Sequence, residues 1–231
     1  MNILAKAGQT MRRFVAYDSP VAQTILTIWG VFVLAVCSWV FLIPLLTFEL
    51  LVGWQPTHLA IWLGMASLLT LGPLCRGLIV ASTSILNERG YPGHLARTFF
   101  SSIRRAPRAL WLLWILVFPI GLFVAYDVAL SGGSPSRMIP AIVLGVLLAL
   151  VLVAVGALAE TDDDRSLIEL VTIAFAAMIR RVWLPLTWAF GLALMALASR
   201  IPAIGPTIVL FAPALWGLLV ALVNGMWRFG R

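Results

Sequence analysis

Few residues in this sequence have the type and spacing that catalysis or metal binding requires. The two histidines, His58 and His94, are predicted to lie on opposite sides of a membrane, which prevents them from acting together. The motifs Gly-x-Ser-x-Gly and His-Glu-x-x-His, which would place a serine nucleophile or two zinc ligands, do not occur. Glycine-rich phosphate loops and paired Cys/His metal spacings are also absent from the sequence. We therefore expect that the protein is not an enzyme and binds no cofactor or metal.

Arg76 is the most prominent candidate for a functional residue inside an apolar segment. Burying an ionised side chain at the bilayer centre costs at least ~2.5 kcal/mol, so such a residue is a functional candidate by default. Because Arg76 lies near the cytoplasmic end, snorkelling to the headgroups or pairing with Asp18 or Glu160 is favoured over solute binding. The preceding Gly72-Pro73 fits the broken helix of a transporter, although a simple kink is the favoured interpretation.

Residues 94–108 form a basic amphipathic segment. At 100° per residue the apolar side chains fall in one sector and the basic ones on the opposite side. The apolar members are Leu95, Ala96, Phe99, Phe100 and Ile103, and the basic ones are Arg97, Arg104, Arg105 and Arg108. This pattern is typical of a helix in the membrane surface, with its apolar face among acyl chains.

The same four arginines are candidates for docking a partner or lipid. Arginine is suited to bidentate pairing with carboxylates at an interface. Ordinary attraction to anionic headgroups, with arginine reflecting a GC-rich genome, is the simpler alternative.

Three adjacent aspartates, residues 162–164, form the only acidic cluster of the sequence. They could bind a cation, but a metal site needs ligands that converge from several elements. Helix capping is favoured instead, with Asp164 or Ser166 as the N-cap of a helix that extends to Arg181.

The composition predicts an all-α polytopic membrane protein with one transmembrane domain over residues 1–231. Hydrophobic residues make up 62% of the chain and charged residues 11%, against about a quarter charged in a soluble domain. The net charge of +7 does not indicate nucleic-acid binding, because the basic residues flank apolar spans and meet lipid headgroups. The six predicted spans are 21–48, 58–86, 109–130, 138–159, 182–199 and 207–227.

The distribution of basic residues predicts the orientation. With six spans, thirteen Lys and Arg residues lie on one side, and only Arg137 and Arg200 lie on the other. The positive-inside rule then places both termini in the cytoplasm.

Two segments of the sequence indicate an internal repeat. Residues 95–105 and 171–181 align at an offset of 76, and both contain Phe-x-x-x-Ile-Arg-Arg. Each follows a span that enters the cytoplasm and precedes one that leaves it. A parallel duplication of span, surface helix and span is therefore favoured over chance similarity.

The order of these features resembles the YesL family of bacterial membrane proteins over about residues 8–228. The resemblance rests on Thr70-Leu71-Gly72-Pro73 and on Asn87-Glu88-Arg89-Gly90-Tyr91. It also includes Phe99-Phe100 and the Arg104-Arg105 pair.

The resemblance implies a location in the bacterial cytoplasmic membrane, and because the family is largely uncharacterised, no catalytic residues carry over from it. It also implies an association with carbohydrate ABC importers, whose permease subunits become candidate partners beside membrane lipids. Two functions are open at this point. The first is a non-catalytic accessory protein that assists the assembly, stability or regulation of such an importer, and the second is a small solute transporter or channel. A central polar cavity would favour the transporter, and a solid core would favour the accessory protein.

Overall fold

The computed structural model describes residues 20–87, 93–130, 134–158, 166–202 and 204–228. Within these residues the chain forms nine α-helices and no β-strand, which confirms the all-α fold class. In chain order the helices are α1 (Pro20–Leu51), α2 (His58–Leu68), α3 (Leu71–Asn87), α4 (Leu95–Arg104), α5 (Arg108–Leu130), α6 (Pro135–Leu158), α7 (Leu167–Arg180), α8 (Trp183–Ala198) and α9 (Gly205–Arg228).

Five apolar helical stretches are long enough to cross a membrane. They are Val21–Leu51, His58–Asn87, Arg108–Leu130, Met138–Leu158 and Gly205–Gly225. At 1.5 Å per residue, a stretch of 21 residues spans the roughly 30 Å hydrocarbon core. The chain is therefore a multi-pass membrane protein. α8 has 16 residues and extends only about 24 Å, so the sixth span over 182–199 and the orientation of the termini remain predictions.

The second predicted span, residues 58–86, consists of α2 and α3, which are separated by a turn at Leu69 and Thr70. Pro73 accounts for this turn. It has no N–H to donate to the Leu69 carbonyl, and its ring would clash with that carbonyl in a continuous helix. Proline is tolerated in the first turn of α3, where backbone N–H groups lack intrahelical acceptors. The break agrees with the kink predicted at Gly72-Pro73.

α3 lies at the centre of the bundle, where it contacts α1, α4, α6 and α9. Two of its glycines permit close approach of aromatic rings. A Cβ added at Gly72 would collide with the indole of Trp114 on α5, and one added at Gly77 would lie 2.7 Å from the ring of Phe99 on α4. Close packing at small residues drives helix association in membranes, where lipid is as apolar as the side chains. α3 is therefore the helix around which its neighbours in the bundle pack.

The first and last helices, α1 and α9, pack side by side. Trp39 Nε1 on α1 donates to the Leu210 carbonyl on α9 at 2.9 Å. Further along the seam, Gln23 and Leu222 line one groove. The two helices are therefore antiparallel, and α1 begins at the end of the bundle where α9 finishes.

α4 and α7 occupy the two segments that the 76-residue offset relates. α4 ends at Arg104 and α7 ends at Arg180, 76 residues later, and a short turn follows each helix. These bounds agree with the predicted segments, whereas the duplication itself remains a prediction. Ser166 N-caps α7 and forms a capping box with Glu169, as predicted, while Asp164 and the other two aspartates lie outside the described residues.

Candidate functional site

α4 has one buried face and one exposed face. Leu95, Phe99 and Ile103 lie on one side of the helix, and their side chains are 0%, 0% and 8% exposed. Arg97 and Arg104 lie on the opposite side and are exposed. The amphipathic pattern predicted from the sequence is therefore present in the fold.

The apolar face of α4 lies against protein, so the prediction that it contacts acyl chains is wrong. The Phe99 ring fills the recess at Gly77 of α3. It also meets the Phe41 ring of α1 edge-on, with 5.8 Å between ring centroids. A protein core and a lipid phase are equally apolar, so a helical pattern cannot distinguish them. α4 is thus a packed member of the bundle.

The arginine surface, defined as Arg97, Arg104, Arg105 and Arg108, is the candidate docking site. All four residues are exposed. None of their guanidinium groups has an ion-pair or hydrogen-bond partner within the part of the chain that the structure describes. The phenyl ring of Phe100, 45% exposed, lies on the same side of α4. The surface therefore offers four unneutralised cations, with an exposed aromatic ring three residues from Arg97 and four from Arg104.

Arg76 is buried in the bundle, so the prediction that it snorkels to the headgroups is wrong. Its side chain is 6% exposed, and its Nε donates to the Ser102 carbonyl of α4 at 3.0 Å. The two carboxylates predicted as alternative partners, Asp18 and Glu160, lie outside the described residues.

The carbonyl that Arg76 reaches is one of those left free at the end of α4. The Ala106 N–H, which would continue the helix by donating to Ser102, donates to the Ile103 carbonyl instead, at 3.1 Å. The last carbonyls of a helix lack intrahelical donors and carry the negative end of its dipole. Arg76 satisfies one of them with a cation. This contact gives Arg76 a structural role in joining α3 to α4.

The region around Gly72-Pro73 is filled by side chains. Trp114 packs against Gly72, and the adjacent cavity has a volume of only about 30 Å³ and is lined by apolar residues such as Met65 and Phe118. The break in the helix therefore does not border a solute-sized chamber among the described residues.

The structure does not bring the histidines together. His58 Nδ1 lies 2.9 Å from the Tyr126 hydroxyl, which also accepts a hydrogen bond from Trp62 Nε1 at 3.1 Å. His94 is the N-cap residue of α4. In the described ranges no three His, Cys, Asp or Glu side chains are grouped to hold a metal ion.

Sequence reasoning missed two features of this site. The partner of Arg76 is a backbone carbonyl, which no pattern of side chains reveals. Phe100 was assigned to the apolar face, yet its spacing of three residues from Arg97 and four from Arg104 was the available signal that these three side chains are neighbours.

No protein-family model matches this chain, and neither a curated protein nor a solved structure matches it. The likeness to the YesL family therefore stays a prediction that rests on the motifs alone.

Proposed function

We propose that this chain is a non-catalytic membrane accessory protein whose arginine surface binds an acidic face of a partner, the permease of a carbohydrate ABC importer. The observation that carries the proposal is the set of four exposed guanidinium groups on and beside α4 that lack partners within the described residues. The choice of this permease rests on the YesL resemblance.

The burial of the opposite face of α4 supports a protein partner over a lipid surface. A helix that anchors in the membrane surface needs an exposed apolar face for the acyl chains. In α4 that face is already occupied, because Phe99 and Leu95 are fully buried. Packing against protein already holds α4 in place. Its arginines are therefore not required as headgroup anchors and can bind a partner.

Arginine chemistry indicates what the partner offers. A guanidinium group pairs with a carboxylate through two parallel hydrogen bonds, whereas an ammonium group acts as a point charge. Together with the exposed ring of Phe100, the surface fits a partner segment that combines aspartate or glutamate with an apolar side chain.

A small transporter or channel is the second candidate function, and the break between α2 and α3 is the observation that favours it. Broken helices line substrate sites in many transporters. Here the break adjoins an apolar cavity of about 30 Å³, which is near the size of one water molecule. The accessory function is therefore preferred.

The test is purification in mild detergent followed by mass spectrometry of the proteins that remain bound. All four residues of the arginine surface are changed to lysine, which keeps the charge and removes the paired donors. Loss of bidentate geometry should reduce recovery of the permease at least about tenfold, equal to ~1.4 kcal/mol. The control carries Arg180→Lys and Arg200→Lys, which alter exposed arginines elsewhere, and should retain the permease. Undiminished recovery with the lysine variant would show that arginine-specific docking is wrong. If the unaltered protein recovers no permease, the permease is not the partner.

A further inference from the structure

A groove lies between α1, α3 and α9 and has a volume of about 740 Å³. This volume falls within the range of roughly 300–1,000 Å³ that is typical of ligand pockets. The groove is separate from the arginine surface and from the break between α2 and α3. Neither the proposed accessory function nor the helix packing accounts for it.

The two long walls of the groove differ in chemistry. The α9 wall is a stripe of leucines at helical spacing, Leu215, Leu218, Leu219 and Leu222. The α1 wall includes Gln23, Thr24 and Thr27 close to the start of that helix. An apolar stripe that faces polar groups at one end matches the build of an amphiphile with an acyl chain.

Gln23 supplies the evidence for a polar ligand atom. Its backbone carbonyl accepts from the Thr27 hydroxyl at 2.8 Å, but within the described residues its half-buried side-chain amide has no hydrogen-bond partner. A half-buried amide without a partner is costly wherever water cannot satisfy it. An ester or phosphate oxygen in the groove would accept from this amide.

The charge of the sequence that adjoins these two helix ends indicates the headgroup. The sequence places Arg12 and Arg13 shortly before the start of α1, and α9 finishes at Arg228. The sequence is therefore basic next to the start of α1, which carries Gln23, and at the last residue of α9. Basic segments beside spanning helices attract anionic lipids.

We infer that this groove binds one anionic phospholipid, with an acyl chain along the leucines of α9 and its ester or phosphate oxygens at the Gln23 amide. The site joins the first and last helices, so a bound lipid contacts both. The inference is independent of the accessory function and of the importer.

The test is native mass spectrometry of the full chain released from nanodiscs that contain equal amounts of phosphatidylglycerol and phosphatidylcholine. The unaltered protein should retain one phosphatidylglycerol. Leu222→Trp fills the groove and should lower retention about tenfold, since it removes ~1.4 kcal/mol or more of acyl-chain contact. Leu210→Trp is the matched control, because Leu210 lies on the same helix, outside the groove, with 40% exposure against 46% for Leu222. It should leave retention unchanged.

Gln23→Leu tests the polar end with a milder change. Losing one hydrogen bond of ~1 kcal/mol should lower retention about fivefold, with no change in thermal stability beyond that of the control. Equal retention of both lipids, or no effect of Leu222→Trp, would overturn the inference. If the protein instead carries no lipid and forms a dimer that Leu222→Trp abolishes, the groove binds a second copy of the chain. That result would also overturn the inference.

Discussion

α4 and α7 carry the same motif, Phe-x-x-x-Ile-Arg-Arg, in two different environments. In α4 the motif phenylalanine, Phe99, is fully buried, and in α7 its counterpart, Phe175, is 49% exposed. α4 packs against both α3 and α1, whereas α7 packs against α6 and, to a smaller extent, α5. The exposed ring therefore belongs to the helix whose second packing partner contacts it less extensively.

The difference is explained by α1, which precedes both copies of the proposed repeat. Its Phe41 contacts the Phe99 ring of α4, whereas Phe175 of α7 has no aromatic ring against it within the described residues. Consequently α7 retains an outward apolar face that contains Ile168, Phe175 and Ile179, which are 78%, 49% and 65% exposed. These bulky side chains suit acyl chains better than close helix packing, which favours small residues. The comparison teaches that α7, and not α4, has the surface of an interfacial helix.

The strongest way to break this comparison is to truncate the two phenylalanines separately. Phe99→Ala should lower the free energy of unfolding by ~3 kcal/mol or more, because it leaves a cavity between α3, α4 and α1. Phe175→Ala should change it by about 0.5 kcal/mol or less. Unfolding in mixed micelles by titration with sodium dodecyl sulfate measures both values. Equal losses would contradict the assignment of α4 to the interior and α7 to the surface.

A smaller effect is expected from Arg76, which has no counterpart in the second copy. The residue 76 positions later is Leu152. Arg76→Met should cost ~2 kcal/mol, because the Ser102 carbonyl is left without its cationic donor. Hydrogen exchange should accelerate in the last turn of α4 and stay unchanged in the last turn of α7. Leu152→Met is the control and should leave exchange in α4 unaltered. Slow exchange in α4 after loss of Arg76 would show that the guanidinium does not hold this helix end.

The smallest effect concerns the helix starts. Here α7 has the stabilising side-chain interaction and α4 does not. α7 begins with the Ser166–Glu169 capping box, whereas His94 makes no side-chain cap bond in α4. Ser166→Ala should therefore cost ~1 kcal/mol, and His94→Ala should be close to neutral. Thermal unfolding followed by circular dichroism compares the two variants. A larger loss from His94→Ala would mean that the start of α4 is fixed by an interaction of His94 other than capping.

Sequence reasoning succeeded where the signal is local and failed where it depends on distant packing. The all-α class, the kink before Pro73, the Ser166 cap and the end of α7 follow from composition, proline chemistry and capping residues. The burial of α4 depends on Gly77 and Phe41, which lie far from it in sequence. No local pattern could reveal that packing.

The seam between α1 and α9 has a consequence for the order of biogenesis. Trp39 and its acceptor Leu210 are separated by 171 residues. At a synthesis rate of about 5–20 residues per second, α1 leaves the ribosome roughly 10 to 35 s before α9 can meet it. During that interval lipid or the insertion machinery must cover the face of α1 that later receives α9. In a nascent chain arrested before Gly205, the Trp39 indole would lack its acceptor, the Leu210 carbonyl. The bundle can therefore be completed only after the final helix is made.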